Sequence, residues 1–303
     1  MNENILKLFQ ERFKDEQIKT NEPMSLHTTF KIGGPADLFV APKNEEDLLF
    51  TLNLCNENKI PCLILGNGSN MLVSDKGIRG VVVSMLSLDQ LKLLDDYTIY
   101  AQSGVSMKAL AEFASNHAIT GFESLHGIPG SIGGGIFMNA GAYEGEVGDV
   151  FISACCIDEN NNIIDIDSQQ MNFGYRKSLA QTKGLIIAST TLKGKKGNKA
   201  QILAKMAELE EKRSSKQPID MPSAGSIFKR PPGYFAGKLI SDAGLRGHCI
   251  GDAQVSEKHC GFIVNKGNAT SSDVLALISH IQQAIKAEFD VLLETEVKMI
   301  GEE

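Results

Sequence analysis

The sequence predicts an α+β protein, and three observations carry that reading. Stretches of helical and of strand periodicity mix without strict alternation, which disfavours a doubly wound parallel sheet. The strand Cys62-Leu63-Ile64-Leu65 runs into Gly66-Asn67-Gly68, but Met71 stands where a dinucleotide-binding fingerprint needs Gly or Ala. A further strand, not a helix, follows it. At 303 residues the chain has room for about two domains, each with its own core.

The elements follow in chain order. Met1 to Asp15 is charged throughout, with Ile5, Leu6, Leu8, Phe9 and Phe13 on one helix face, so it reads as neither a secretion signal nor an anchor. Glu45 to Asn58 carries helical spacing through Leu48, Leu49, Leu52 and Cys55. Val81-Val82-Val83 and Thr98 to Gln102 read as strands, and Met107 to His117 as a helix with Ser106 at its N-cap. Val150 to Ile157 and Ile163 to Ile166 flank Asn160-Asn161-Asn162 as a hairpin. Gly184 to Leu192 is another strand. The polar turn Lys193 to Asn198 reads as a separation between two domains. Beyond it come a charged helix (Lys199 to Arg213), a Pro/Gly-rich segment (Pro218 to Gly233), helices at Ala236 to Ala243 and Asp273 to Phe289, and strands at Cys260 to Val264 and Val291 to Ile300.

Composition narrows the function classes. Thirty basic against 37 acidic residues give a net charge of −7, which argues against a general nucleic-acid binder. No apolar run approaches the roughly 20 residues of a membrane span. The six cysteines form no C-x-x-C pair and the six histidines no H-x-H or H-E-x-x-H pattern, so free thiols and no metal are expected, in a cytoplasmic protein. Glycine is the outlier, 29 of 303 residues, about 10% against a usual 7%.

Three segments stand out as candidates for chemistry. Leu65-Gly66-Asn67-Gly68-Ser69-Asn70 is either a tight turn or a loop whose N–H groups cradle an anion. Gly127-Ile128-Pro129-Gly130-Ser131-Ile132-Gly133-Gly134-Gly135, continuing to Met138-Asn139-Ala140-Gly141, interleaves glycines with apolar residues. That pattern suits a loop packed against a large flat ligand or against another backbone. Pro222-Ser223-Ala224-Gly225-Ser226-Ile227-Phe228-Lys229-Arg230 is not a hydrolase elbow, since G-x-S-x-G occurs nowhere. Its Ser is a turn residue by default, and its cations are either solvated or an anion contact. In the late strand, Glu294 and Glu296 share one face by period two.

In this order the segments resemble the UDP-N-acetylenolpyruvoylglucosamine reductase family of bacterial peptidoglycan synthesis. The likeness runs from Thr28-Thr29-Phe30-Lys31-Ile32-Gly33-Gly34-Pro35-Ala36 through LGNGSNMLVSD, GIPGSIGGGIFMNAGAYEGE, FGYRKS, PSAGSIFKRP and AGKLISDAGLRG to Glu294-Thr295-Glu296-Val297. Each piece is weak; the ordered set is specific. The length is similar to the shorter class of the family, which lacks an extra substrate-covering segment.

The resemblance implies an FAD-binding domain of the vanillyl-alcohol-oxidase type, built of two α+β subdomains, over residues 1–197 with a core of about 30–195. A C-terminal α+β substrate-binding domain would occupy 198–303. It implies non-covalent FAD held by Gly66, Asn67, Gly68, Ser69 and Asn70, and by Gly127, Pro129, Gly130, Ser131, Gly133, Gly134, Asn139, Ala140 and Gly141. NADPH would be the reductant and UDP-N-acetylenolpyruvoylglucosamine the substrate, with no obligate protein partner. The implied catalytic residues are Ser226 as proton donor, Arg176 on the substrate carboxylate and Glu296 beside it. Tyr175, Lys216, Lys229 and His259 match substrate or NADPH contacts. A different flavin oxidase, with His126 as a covalent link, and a non-catalytic UDP-sugar module are the competing readings.

Overall fold

The computed structural model describes residues 3–143 and 145–302. Met1 and Asn2 of the N-terminal helix reading, Glu144 of the AYEGE motif and the terminal Glu303 lie outside them. The chain forms two compact units, each assembled from separate stretches: Met1–Lys19, Phe39–Asn67 and Val81–Lys212 in one, Thr20–Leu38, Gly68–Gly80 and Arg213–Glu303 in the other.

The first unit is built on a five-stranded antiparallel sheet. Its order is Ile163–Asp167, Phe151–Ile157, Ile186–Lys193, Thr98–Gln102 and Leu91–Leu93. The hairpin expected around Asn160 to Asn162 forms, pairing Ile157 with Ile163. Ile99, Ala101, Ala154, Cys156 and Leu192 are buried on it, and Leu110, Ala114 and Ile136 join the same core from helices. Full burial of the Ile and Leu side chains among them stabilises by about 1.5–3 kcal/mol each. Ser106 caps the helix Met107–Asn116 by accepting from the Ala109 N–H at 3.0 Å. The strands Cys62–Leu65 and Ile78–Ser84 pair in parallel, Cys62 opposite Val81 and Leu65 opposite Ser84. In the N-terminal helix Glu3–Arg12, Phe9 is fully buried, and its ring meets those of Phe13 and Phe50.

The second unit holds a four-stranded sheet ordered Ser223–Ser226, Phe262–Asn265, Ala253–Val255 and Cys249–Ile250. The helix Ser271–Phe289 starts in a capping box between Thr270 and Asp273. Asp75 reinforces that start by accepting from the Ser271 and Ser272 N–H groups at 2.8 and 3.1 Å. Burial works against this carboxylate, but those bonds outweigh it and hold its pKa below the ordinary value. The helix buries Val274, Leu277, Ile278, Ile281 and Ile285 against Ile227, Phe228, Leu239 and Ile263.

Three sequence expectations need correction. The segment read as a loop over 127–141 contains a helix, Ile132–Met138, capped by Ser131. Residues Val291 to Ile300 are not one strand: only Lys298–Ile300 pairs, in parallel with Met71–Val73, and Thr295 makes an isolated bridge to Phe228. The turn Lys193 to Asn198 lies within the first unit, where Lys195–Lys196 pairs with Ile119–Thr120. The charged helix begins at Lys199 as expected and runs on to Lys216.

Candidate active site

The loop from Gly66 to Asn70 is open in hydrogen-bonding terms. None of its five backbone N–H groups donates to an acceptor among the described residues. In the first unit, a Cβ on Gly66 would stand 2.5 Å from Ser131 Oγ, so a larger residue there would force the Ser131 hydroxyl to turn away. Beside it, Asn67 Nδ2 donates to the Pro129 carbonyl at 3.2 Å. In the second unit, Gly68 has φ of +59°, and a Cβ there would collide with the His27 carbonyl at 2.1 Å.

The Gly127 to Gly141 segment is stitched to the chain around Ser103. Met107 N–H donates to the Gly130 carbonyl, Ile132 N–H to Val105 and Gly133 N–H to Ser103, all within 2.9 Å. The first donors of the short helix are therefore spent inside the protein, so it offers no free N-terminal anion site. Gly134 differs from its neighbours. The single atom near its would-be Cβ is Ser131 Oγ at 3.6 Å.

Asn139 is fully buried at the end of that helix with φ of +42°. Its amide donates to the Gly174 carbonyl at 3.1 Å and accepts from the Gly148 N–H at 3.0 Å. The side chain is thus a brace within the protein, with both polar ends used. It steadies the tight turn that displays Arg176, closed by reciprocal hydrogen bonds between Gly174 and Lys177 at 3.0 and 3.1 Å. Arg176 takes φ of +54° in this turn, a conformation that costs a side-chain-bearing residue about 1–2 kcal/mol. Its guanidinium donates to the Gly141 carbonyl at 3.1 Å and lies 5.3 Å from the Tyr175 ring centroid. Tyr175 itself is exposed.

Ser226 and Glu296 come together in the second unit. Ser226 ends the edge strand Ser223–Ser226 opposite Phe262, after a bulge that contains Gly225 at φ +74°. The next residue, Ile227, accepts from the Glu296 N–H at 2.8 Å and donates to the Gly261 carbonyl at 2.9 Å. The Ser226 hydroxyl has only long bonds, 3.3 Å to the Phe228 carbonyl and 3.5 Å to that of Gly261. It is held loosely and stays available as a donor. Asn70 supports the same place by donating its amide to the Glu296 carbonyl at 3.3 Å.

The other expected contacts are divided between the two units. His259 Nδ1 accepts from the Gly261 N–H at 3.1 Å, which puts the ring proton on Nε2. Burial, with Arg246 nearby, holds this imidazole below its ordinary pKa. Lys229 is paired with exposed Glu294 at 3.1 Å, and Lys216 is an exposed residue at a helix end. Arg176 and Tyr175 belong to the first unit, and Ser226, Glu296, Lys216, Lys229 and His259 to the second. His126 stands 3.6 Å from Glu112 and 3.4 Å from Glu210, and its buried Nδ1 has no hydrogen-bond partner among the described residues.

Comparison with known proteins decides the family. Residues 36–167 match an FAD binding domain, and residues 217–300 match the UDP-N-acetylenolpyruvoylglucosamine reductase C-terminal domain. A UDP-N-acetylenolpyruvoylglucosamine reductase of Caldanaerobacter subterraneus is 49% identical over 302 residues, covering all of both chains. One from Clostridium perfringens is 50% identical over 97% of each chain. The chain belongs to the UDP-N-acetylenolpyruvoylglucosamine reductase family. The crystal structure of the Thermus caldophilus reductase, 33% identical, superposes with a TM-score of 0.80 over 91% of this chain and 97% of that one. An alkyldihydroxyacetonephosphate synthase at 14% identity shares the fold over 65% of this chain and 41% of its own, with a TM-score of 0.51. The protein is thus an FAD-dependent oxidoreductase of α+β architecture, with an FAD-binding region of the vanillyl-alcohol-oxidase type and the reductase C-terminal domain.

One group in this reductase chain went unnoticed in the sequence. Ser103 is 1% exposed and its hydroxyl has no partner among the described residues, a rare state that a bound ligand or water would relieve. A serine after a strand carries no signal of that kind, because the missing partner becomes visible only once Gly133 packs over it.

Proposed function

We propose that this chain reduces the enolpyruvyl ether of UDP-N-acetylenolpyruvoylglucosamine to UDP-N-acetylmuramate in the cytoplasm, with NADPH as reductant, for peptidoglycan precursor synthesis. The proposed flavin contacts all fall within residues 1–197, and the substrate contacts other than Arg176 and Tyr175 within residues 198–303. The observation that carries the reading is the loosely held Ser226 hydroxyl next to Ile227, the residue that pins Glu296. Several features fit FAD. The N–H groups of Gly66 to Asn70 have no acceptor among the described residues and suit a pyrophosphate, and Gly134 leaves room beside its Cα. Ser131, Gly133 and Ala140 hold that wall in shape, while Gly127, Pro129, Gly130 and Gly141 complete it.

Bound there, FAD would supply the hydride-transfer chemistry that links NADPH to the enol ether. The chain's own work is on charge and proton. Arg176 forks onto the substrate carboxylate, where negative charge builds as the double bond is reduced. Ser226 gives a proton to the carbon that gains this charge. An isolated hydroxyl is a weak acid, but the acceptor is strongly basic and the transfer short. Glu296 supports the same end of the substrate. Tyr175, Lys216, Lys229 and His259 serve the sugar nucleotide or NADPH, with neutral His259 presenting its Nε2–H.

The test is a visible spectrum followed by anaerobic stopped-flow. The purified protein should be yellow, release FAD on acid precipitation and turn over NADPH beyond one equivalent per flavin only when the enolpyruvyl sugar nucleotide is present. Ser226→Ala should leave flavin reduction by NADPH nearly intact and slow reoxidation by substrate about 10²–10⁴-fold. A colourless protein that takes up no FAD, or equal loss in both half-reactions, contradicts the proposal.

A further inference from the structure

Two thiols outside the proposed chemistry face each other. Cys55 lies in the last turn of the helix Glu45–Glu57, and Cys62 opens the strand Cys62–Leu65. The segment between them folds back on itself, with the Ile60 N–H donating to the Cys55 carbonyl at 2.8 Å. The two side chains are neighbours, close enough for each thiol to act on the other. Both line one cavity of about 230 Å³, walled by Leu52, Ile60, Ile64 and Ile186 and edged by Asp158 and Asn161. Cys55 is 2% exposed, whereas Cys62 is exposed at the surface.

The pairing is asymmetric. Contact with Cys62 lowers the pKa of Cys55, while Cys55 and burial raise that of Cys62. The other thiols differ. Burial raises the pKa of Cys155 and pushes Cys156 up to about 12, and exposed Cys249 donates to the Gly247 carbonyl at 3.3 Å.

We propose that Cys55 and Cys62 form a peroxide-reactive dithiol, with the shared cavity as the entry for a small hydroperoxide, Cys55 as the attacking sulfur and Cys62 as the resolving one. The Cys55 thiolate attacks the O–O bond, so an S–O bond forms, the O–O bond breaks and the alcohol, or water, leaves with a proton. Cys62 then attacks the Cys55 sulfenic acid. An S–S bond forms, the S–O bond breaks, and water leaves with the Cys62 proton. The pair loses two electrons and two protons, and the hydroperoxide is reduced to alcohol and water. Thiols already in contact need little movement to meet disulfide geometry.

Hydrogen peroxide is the probe. The full-length protein is treated with one equivalent, free thiols are alkylated, and peptides are read by mass spectrometry. A disulfide between Cys55 and Cys62 should form at least tenfold faster than Cys249 is oxidised, and a dithiol reductant should reverse it. In Cys62→Ser, Cys55 should stop at the sulfenic acid and be trapped by a carbon-acid reagent. Cys62→Ser leaves the buried cysteine in place, so it reports even where Cys55→Ser does not fold. Oxidation of Cys249 at the same rate, a disulfide in any other pair, or no trapping at Cys55 in Cys62→Ser overturns the proposal.

Discussion

The two glycine-rich stretches of this chain use the same residue for different reasons. Between Gly121 and Val150, glycine mainly provides room. A Cβ would stand 2.7 Å from Ser103 Cβ at Gly133, 2.5 Å from Met107 Cε at Gly135 and 2.7 Å from Glu146 Cβ at Gly141. Between Gly225 and Gly267, glycine mainly provides backbone freedom. Six glycines there, Gly225, Gly233, Gly244, Gly247, Gly251 and Gly267, have positive φ, and the first three have nothing within 4 Å of a would-be Cβ. A high glycine count therefore does not by itself mean a ligand, because most of the space gained in the first stretch is filled by protein.

Arg176 is the sharpest test of this division, since it takes the second kind of backbone without being glycine. If its φ of +54° is kept for the guanidinium's sake, Arg176→Gly should separate stability from activity. The melting temperature should hold or rise slightly, while turnover falls about 10²-fold or more through loss of the carboxylate clamp. Arg176→Lys should also lose much of its turnover, because an ammonium cannot fork onto a carboxylate. Near-wild-type turnover in Arg176→Gly would mean that the strain serves only the turn.

Within the first stretch, Gly133→Ala should cost about 2 kcal/mol by denaturant unfolding, from overpacking against Ser103. The better helix propensity of Ala offsets only about 1 kcal/mol of the gross clash. Gly133→Asn should be worse still, since it adds volume where there is none. An Ala variant as stable as the parent would show that room is not what glycine provides here.

Sequence reading reached the elements whose signals are local. The Ser106 cap, the hairpin around Asn160 to Asn162 and the strand through Val81-Val82-Val83 each carry their own pattern. It missed the helix Ile132–Met138, because three successive glycines have almost no intrinsic helix preference and only burial of Ile132 and Ile136 makes up the difference. It joined Val291 to Ile300 into one strand, because alternation does not say which residues will find partners. It took Lys193 to Asn198 for a separation because Gly and Lys are turn-rich, while the partners Ile119 and Thr120 are remote in sequence. The order of motifs named Ser226, Arg176 and Glu296. The brace roles of Asn70 and Asn139 were not legible, since both depend on carbonyls more than thirty residues away.

In the second stretch the expected loss is smaller and has a different signature. Gly225→Ala meets no neighbouring atom, so its cost is the left-handed backbone alone, about 1 kcal/mol. Gly225→Asn should lose less than Gly225→Ala, because Asn tolerates that conformation, which reverses the order expected at Gly133. Equal losses for Ala and Asn at Gly225 would remove the distinction between the two stretches.

The smallest expected effect is at Gly134, where the two explanations and the flavin proposal meet. Gly134 is helical, and its would-be Cβ has only Ser131 Oγ nearby, at 3.6 Å. Neither room within the protein nor positive φ requires glycine here. Gly134→Ala should therefore raise the stability of the flavin-free protein by about 0.5–1 kcal/mol, the usual difference between the two residues inside a helix. If the open side of Gly134 faces the flavin, as proposed, the same methyl should weaken FAD retention, measured by the fraction of flavin released on dilution. A rise in stability with unchanged retention would place the flavin elsewhere along this wall. A fall in stability would mean that the first stretch needs room at this position as well.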